Sequence, residues 1–447
     1  MVEIGVDVDE RHQRIDGFGC CLGFQRAALV RDLPSDAQRA ALDLLFSTER
    51  GAGLSILRLA IGSSPDMLYD HMRSIAPHDP GGPLAPPLYE WDGDDGGQLW
   101  AAREAMRYGV RRFLACAWSA PGYMLTGGKD TGGGELRGLP GTPRDGGDWR
   151  AAYADYLLRW VHCYREEGIP VTDLGFTNEP DVFRVFAEER IAHAAMRMDP
   201  AQVVDFVKVL GPAVERSGIP LSIVAADALT WAGQAGYSAA IEADPEAARW
   251  VSIHTGHNYF EPARTPLPTA RPTWMTEWDP DVLGNTWVPG WDSDHRADAI
   301  HLAEEIHDTL TGAGVSGYVY WFGASVDGTC ALLRLDRPGY TVSKRLWALA
   351  AYSRFVRPGA FRVTATSTDP AVKACAFTGP DGGVTANLLN TSTEPVPVTL
   401  HSGPSPFRVY VTDEERSLSP VPADVPLILG PRSLTTLTAE HPAGLRS

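Results

Sequence analysis

Eight short apolar runs separated by longer stretches constrain this chain most: 14–20, 54–61, 111–118, 172–180, 221–228, 251–259, 271–278 and 317–323. Runs of that length, bounded by turn residues, read as strands. Amphipathic stretches follow nearly all of them, at 35–46, 101–108, 149–167, 200–216, 237–250, 294–310 and 343–355. Ser35 opens the first with a good N-cap. Only the linker 260–270, between the sixth and seventh runs, is too rich in proline for a regular helix. Eight strands alternating with helices predict an α/β chain built as a (β/α)8 TIM barrel. A doubly wound open sheet would normally show a Gly-rich phosphate turn after its first strand. Here Gly17-Phe18-Gly19 continues into Cys-Cys-Leu-Gly instead.

After residue 357 the texture changes. Runs at 361–367, 371–378, 383–390, 396–401, 407–411 and 433–439 are short, β-branched and punctuated by Gly, Pro, Asp and Ser. That spacing predicts a smaller all-β antiparallel sandwich. Val2, Ile4, Val6 and Val8 alternate with polar residues and form one more strand that can join it. The expected division is therefore a catalytic barrel over 13–356 and a side domain made of 1–12 plus 357–447. No Ser/Gly linker follows residue 357, which favours firm packing between the two.

Composition removes several function classes. With 44% hydrophobic and 21% charged residues, disorder is excluded as the dominant state. A net charge of -17 opposes binding to nucleic acid and docking on anionic membranes. No run approaches the roughly 18 apolar residues of a membrane helix. Met1-Val-Glu-Ile-Gly lacks the basic and apolar regions of a signal peptide, so the expectation is a cytoplasmic enzyme or a secreted one whose leader precedes this sequence. A monomer is expected. The six cysteines (20, 21, 116, 163, 330, 375) lack CxxC spacing and read as buried free thiols rather than a zinc site.

Chemistry in a (β/α)8 barrel sits at the C-terminal strand ends. The fourth run ends in Asn178-Glu179-Pro180, and the seventh in Thr276-Glu277-Trp278, 98 residues after Glu179. Two carboxyls facing each other across one rim suit glycoside hydrolysis, in which one donates a proton and the other attacks or holds a water. Pro180 is expected to keep Glu179 extended at the rim. An isolated Asn-Glu-Pro triplet would equally serve as a loop cap; the second strand-end acid favours chemistry. Asn178 suits a sugar hydroxyl. Trp118, Tyr123, Tyr259, Trp278, Trp287, Trp291 and Trp321 fall at or just beyond strand ends, where rings can stack on sugar faces. Alternation predicts that Arg58 points inward with Ile56 and Ala60, either holding a carboxylate ionised or making an ordinary ion pair. The same rule puts Met275 on the face of Glu277, with Trp274 and Thr276 toward the helices. His254 and His257 fall on opposite faces, so they cannot share a metal, while His257 can line the mouth. No metal constellation and no Gly-x-Ser-x-Gly elbow is present.

Several runs are similar to glycoside hydrolase family 30: Gln13-Arg-Ile-Asp-Gly-Phe-Gly19, Leu54-Ser-Ile-Leu-Arg58, Trp118-Ser-Ala-Pro-Gly-Tyr123, Asn178-Glu-Pro-Asp181, Trp274-Met-Thr-Glu277 and Ser353-Arg-Phe-Val-Arg-Pro-Gly359. The resemblance spans the barrel in order. It implies a retaining enzyme with a barrel and side sandwich, Glu179 as acid/base, Glu277 as nucleophile, no cofactor, and an oligo- or polysaccharide substrate. Phe24-Gln-Arg-Ala27, Gly62-Ser-Ser-Pro-Asp66, Asp70-His-Met72 and Val342-Ser-Lys-Arg-Leu-Trp347 resemble the xylan-active fungal-type branch, and a β-1,6-galactan branch shares part of this wording.

The expectation is a β-1,4-xylanase or glucuronoxylanase working by double displacement. A β-1,6-galactanase and a barrel that only binds carbohydrate are the alternatives. Arg26 is a candidate partner for a glucuronate group or else a structural ion pair. Cys20-Cys21-Leu22-Gly23 stands where the branch carries Phe-Ser-Glu-Ala, removing an acid from the first β/α loop. Endo or chain-end action depends on that loop and on 62–97, 119–148 and 279–293.

Overall fold

The computed structural model describes residues 1–439 except 69, 144, 282, 283, 285, 327–329, 402–406 and 424–425. Those gaps take in part of the loop 279–293, and residues 440–447 of the expected side domain fall outside it. Eight parallel strands close into a barrel: Gly17–Cys21, Ile56–Ile61, Arg112–Ala117, Asp173–Gly175, Ser222–Ala228, Val251–His257, Thr273–Glu277 and Gly317–Tyr320. The last pairs back on the first, Gly317 opposite Gly17. The fourth strand is short, so Asn178 and Glu179 lie beyond its ladder.

Most expected helices hold their places. Ser35–Phe46 has the predicted bounds. In Pro200–Ser217, Asp199 and Gln202 form a reciprocal capping box. Two stretches differ. The expected helix 237–250 is two helices, Trp231–Ala243 and Pro245–Ala248. The Asp244 side chain accepts from the N–H groups of Glu246 and Ala247, and Pro245 sits at the first turn, so a new helix starts there. The expected helix 294–310 starts later, at Ala299, because the Asp298 carboxylate accepts from the N–H groups of Ser293 and His295 and folds that segment back.

Ile56, Leu114, Val224, Ile253, Trp274 and Val319 fill the barrel interior. Trp274 thus points inward and Met275 joins the outer layer against the helices, the reverse of the alternation expected from Glu277. The indole N–H of Trp274 donates to Asp16 at 2.9 Å. Above its ring, 4.3 Å away, lies the guanidinium of Arg112, which pairs with Asp16 at 3.2 Å and Asp173 at 2.9 Å. This network closes the barrel base, opposite the strand ends that carry chemistry.

The second unit is a nine-stranded sheet in the order 419–421, 408–412, 433–439, 384–390, 372–378, 361–367, 2–14, 396–401 and 427–429. Every pairing is antiparallel except that of the N-terminal strand with 396–401. Ile4, Val363, Leu388, Val398, Leu429 and Leu437 share one core, so the two ends of the sheet pack over each other as a sandwich. Its other face joins the barrel core through Cys375, Phe377, Leu389 and Leu434. The Trp291 indole donates to Arg432 O at 2.6 Å, and Arg432 pairs with Asp292 at 2.8 Å. All six cysteines are buried free thiols. No described helix is long and apolar enough to cross a membrane.

Trp274→Ala empties the barrel centre and removes one of the donors to Asp16. We expect a loss of about 3–5 kcal/mol in urea unfolding at unchanged slope.

Candidate active site

Arg58, on the second strand, is fully buried in the barrel mouth. A buried guanidinium needs anionic and hydrogen-bonding partners. It finds them at or beyond the ends of three other strands: Glu277, Asp227 Oδ2 at 3.1 Å and Asn178 Oδ1 at 2.6 Å. The indole of Trp118 lies 4.5 Å from its charge, a cation–π contact.

Glu179 is not extended. Its φ is 45°, in the left-handed region, and its N–H donates to the carbonyl of Asp227 at 2.7 Å. Proline at 180 only steers its predecessor away from the right-handed helical region, and the bond to the neighbouring strand selects the remaining well. Asp227 itself has a φ of 54° and sits where the register between strands five and six slips by one residue, between Ala226 and Ala228.

A second slip, between Met275 and Glu277, explains the reversed alternation. Without it, the inward Trp274 would send Glu277 outward. The extra residue, Thr276, donates to Asp227 Oδ1 at 2.6 Å, and the bulge turns Glu277 back into the mouth. Both strands that shape the site are therefore bulged at the rim.

The two glutamates occupy different surroundings. Burial pushes Glu179 up to about 7, assisted by the charge of Glu277 and opposed by a hydrogen bond with His257 Nδ1 at 2.9 Å. Glu277 contacts the Arg58 guanidinium, and its other oxygen accepts from the Tyr259 hydroxyl at 3.0 Å. Burial disfavours a charged His257, yet Glu277 and Glu179 together hold it above its usual value. Burial likewise opposes ionisation of Asp227, but Arg58 and then His257 outweigh it and keep its carboxyl low. Glu179, His257 and Glu277 each bring one donor atom within 4.8 Å of the others. These are the described side chains close enough to touch one cation, a grouping the sequence did not reveal; Arg58 supplies positive charge beside it.

The mouth is a cavity of about 390 Å³ lined by both glutamates, Trp118, Tyr259 and Trp321, and also by Phe24, Phe322, Arg190 and His193, which sequence reasoning missed. Phe24 meets Trp118 edge-on at 4.8 Å, and Trp321 lies 5.9 Å from Trp118, forming one aromatic wall. Arg26 lines the cavity too. It pairs with Asp70, donates to Phe24 O at 2.7 Å and Ser325 Oγ at 3.2 Å, and lies 4.2 Å from the Phe322 ring. His254 faces away, toward Ser238 and Glu242.

Other aromatic candidates do not gather there. Tyr123 donates to Ala76 O at 2.9 Å and packs on Trp149, lining neighbouring cavities instead. Trp278 packs behind the mouth against the cluster of Val182, Ile191 and Tyr259. Trp287 lies 4.9 Å from the Arg334 guanidinium, and Trp291 is buried against the sandwich. Asp227 is the chief omission; an acid closing the apolar run Ala225-Ala-Asp-Ala228 was its signal.

Residues 15–271 match the glycosyl hydrolase family 30 TIM-barrel domain, and 359–437 match the family's beta sandwich domain. The catalytic domain of a GH30 xylanase C from Talaromyces cellulolyticus superposes with a TM-score of 0.89 at 30% identity, covering 98% of this chain and 99% of that one. Glucuronoxylanase XynC of Bacillus subtilis is 23% identical over 93% of this chain and 85% of its own length. Endo-1,6-beta-D-glucanase neg1 of Aspergillus fumigatus is 24% identical over 87% of this chain and 80% of its own.

The raised Glu179 has a consequence for stability. Its folded value of about 7 exceeds the ordinary 4.5, so its protonated form favours the fold at low pH and that contribution is lost as pH rises toward 7. We expect Glu179→Gln to gain on the wild type across this window, by up to about 3 kcal/mol in denaturant unfolding at successive pH values.

Proposed function

The chain belongs to glycosyl hydrolase family 30 and is a glycoside hydrolase, and from that premise we propose that it cleaves β-1,4-xylan with retention of anomeric configuration. One observation carries the mechanism: two buried carboxyls at the ends of strands four and seven, with oxygens within 4.8 Å and opposite electrostatic surroundings. Retaining glycosidases hold their carboxyls about 5–5.5 Å apart, inverting ones roughly 6.5–9.5 Å, with room for a water between. Oxygens that approach this closely sit nearer the retaining spacing than the inverting one, which supports direct attack.

In this reading Glu179, protonated up to about pH 7, donates to the glycosidic oxygen as the bond to the leaving group breaks. Glu277 attacks the anomeric carbon and forms the glycosyl-enzyme. Arg58 and the Tyr259 hydroxyl, one on each carboxylate oxygen, aim it. Water then enters, Glu179 takes its proton as base, and the sugar leaves. His257 holds Glu179 through Nδ1. Asn178 spends its carbonyl oxygen on Arg58, which leaves its amide N–H groups for the 2-hydroxyl. The wall of Phe24, Trp118 and Trp321 offers rings to a sugar face.

The xylan assignment draws on the Talaromyces xylanase and the Bacillus glucuronoxylanase, and on the runs resembling the xylan-active branch. The Aspergillus β-1,6-glucanase relative favours a second reading, a β-1,6-linked substrate. Arg26 is already paired with Asp70, so a glucuronate group would have to compete with that carboxylate.

We expect Glu277→Gln to cut kcat on an aryl β-xyloside by roughly ten-thousand-fold or more while the melting temperature stays close to wild type. The wild-type kcat/KM should fall above about pH 7 as Glu179 ionises. Products from glucuronoxylan, arabinoxylan and β-1,6-galactan, compared side by side, decide the substrate; release from galactan alone rejects xylan. Inverted products by NMR would reject the nucleophile.

A further inference from the structure

Asp227 reaches both halves of the mouth by different atoms. Its main-chain carbonyl accepts the N–H of Glu179 at 2.7 Å, fixing the left-handed turn that carries that side chain. One oxygen of its carboxylate accepts from Thr276, the bulge residue that turns Glu277 inward. The other faces Arg58 Nη2 at 3.1 Å and the Cys116 thiol at 3.2 Å. It is itself the bulge residue of strand five, and is buried.

We propose that Asp227 is a positioning residue that sets the placement and charge balance of the two reacting carboxyls, an inference that rests on the roles given above to Glu179 and Glu277. Asp227 does not touch substrate. It shares the Arg58 cation with Glu277, so Glu277 faces half-neutralised positive charge rather than a full ion pair. A carboxylate that had Arg58 to itself would be held back as a nucleophile. Through Thr276 it also pins the bulge, and a misplacement of about 1 Å at a reacting group can cost roughly a hundredfold in rate. The charged and titratable groups facing this region are Arg58 from strand two, Cys116 from strand three, Glu179 and Asp181 beyond strand four, His257 from strand six with Tyr259 just after it, and Glu277 from strand seven with Asp279 just after it. Asp227 adds a further anion, and its charge favours the protonated His257.

The test compares Asp227→Asn and Thr276→Val with wild type on an aryl β-glycoside that the wild type turns over. Melting temperatures are recorded and all rates measured well below them. Asp227→Asn keeps the shape and removes the charge. It should lower kcat about a hundredfold with KM within about threefold, and move the alkaline limb of the pH profile to lower pH, because one anion fewer holds the proton on the Glu179–His257 pair. Thr276→Val keeps the charge and loosens the bulge, so it should lower kcat about tenfold and leave the limb in place. A merely structural role would lower the melting temperature without moving the limb. Asp227→Asn with kcat within threefold of wild type, or with the limb unmoved, overturns the proposal. Should that variant fail to fold, unchanged kcat in Thr276→Val overturns it alone. If Glu179→Gln or Glu277→Gln retains full activity, the underlying roles fail, and this inference with them.

Discussion

A guanidinium cannot be left alone inside a protein, and Arg58 is fully buried. Its charge has to be met by groups on other strands, and the groups that meet it are Glu277, Asp227 and Asn178. The cation therefore ties strand two to the ends of strands four, five and seven across the mouth. Each partner meets part of that charge, so the cluster acts as a unit. The closed barrel makes this possible, since a ring of strands brings three such ends within reach of a single side chain.

From this cluster comes the asymmetry that acid–base chemistry requires. Two glutamates of one residue type stand within a few ångströms, yet only Glu277 touches Arg58. Glu179 sits beyond the end of a short strand, buried and joined to an imidazole, where desolvation favours its neutral form. Environment assigns the roles; residue type does not.

Strand ends were legible in the sequence because turn residues and apolar runs mark them, and that sufficed to place Glu179, Glu277, His257 and Tyr259 at the mouth, while alternation along strand two turned Arg58 inward. The family resemblance carried by the Asn178 and Glu277 runs agrees with the domain matches. What escaped was local departure from regularity. Strict alternation sent Trp274 to the helices, and the structure turns it into the barrel, because a one-residue bulge at Thr276 leaves no periodic trace. Asp227 was passed over for the same reason. Glu179 defeated the proline rule because a bond between strands outweighed a local preference. Tyr123, Trp287 and Trp291 show that aromatic residues at strand ends also serve loop packing, and position in sequence does not separate the two uses.

The N-terminal strand lies inside the nine-stranded sheet, between 361–367 and 396–401. Ile4 pairs with Ser367 on one side and Leu400 on the other. As the chain leaves the ribosome, residues 2–14 wait through synthesis of the whole barrel before either neighbour exists. An extended, unpaired, half-apolar segment is exposed for that interval. The barrel can mature early, but the sandwich closes only when residues 2–14 meet the strands at 361–367 and 396–401, so the newly made enzyme is most open to aggregation and to proteolysis along that strand.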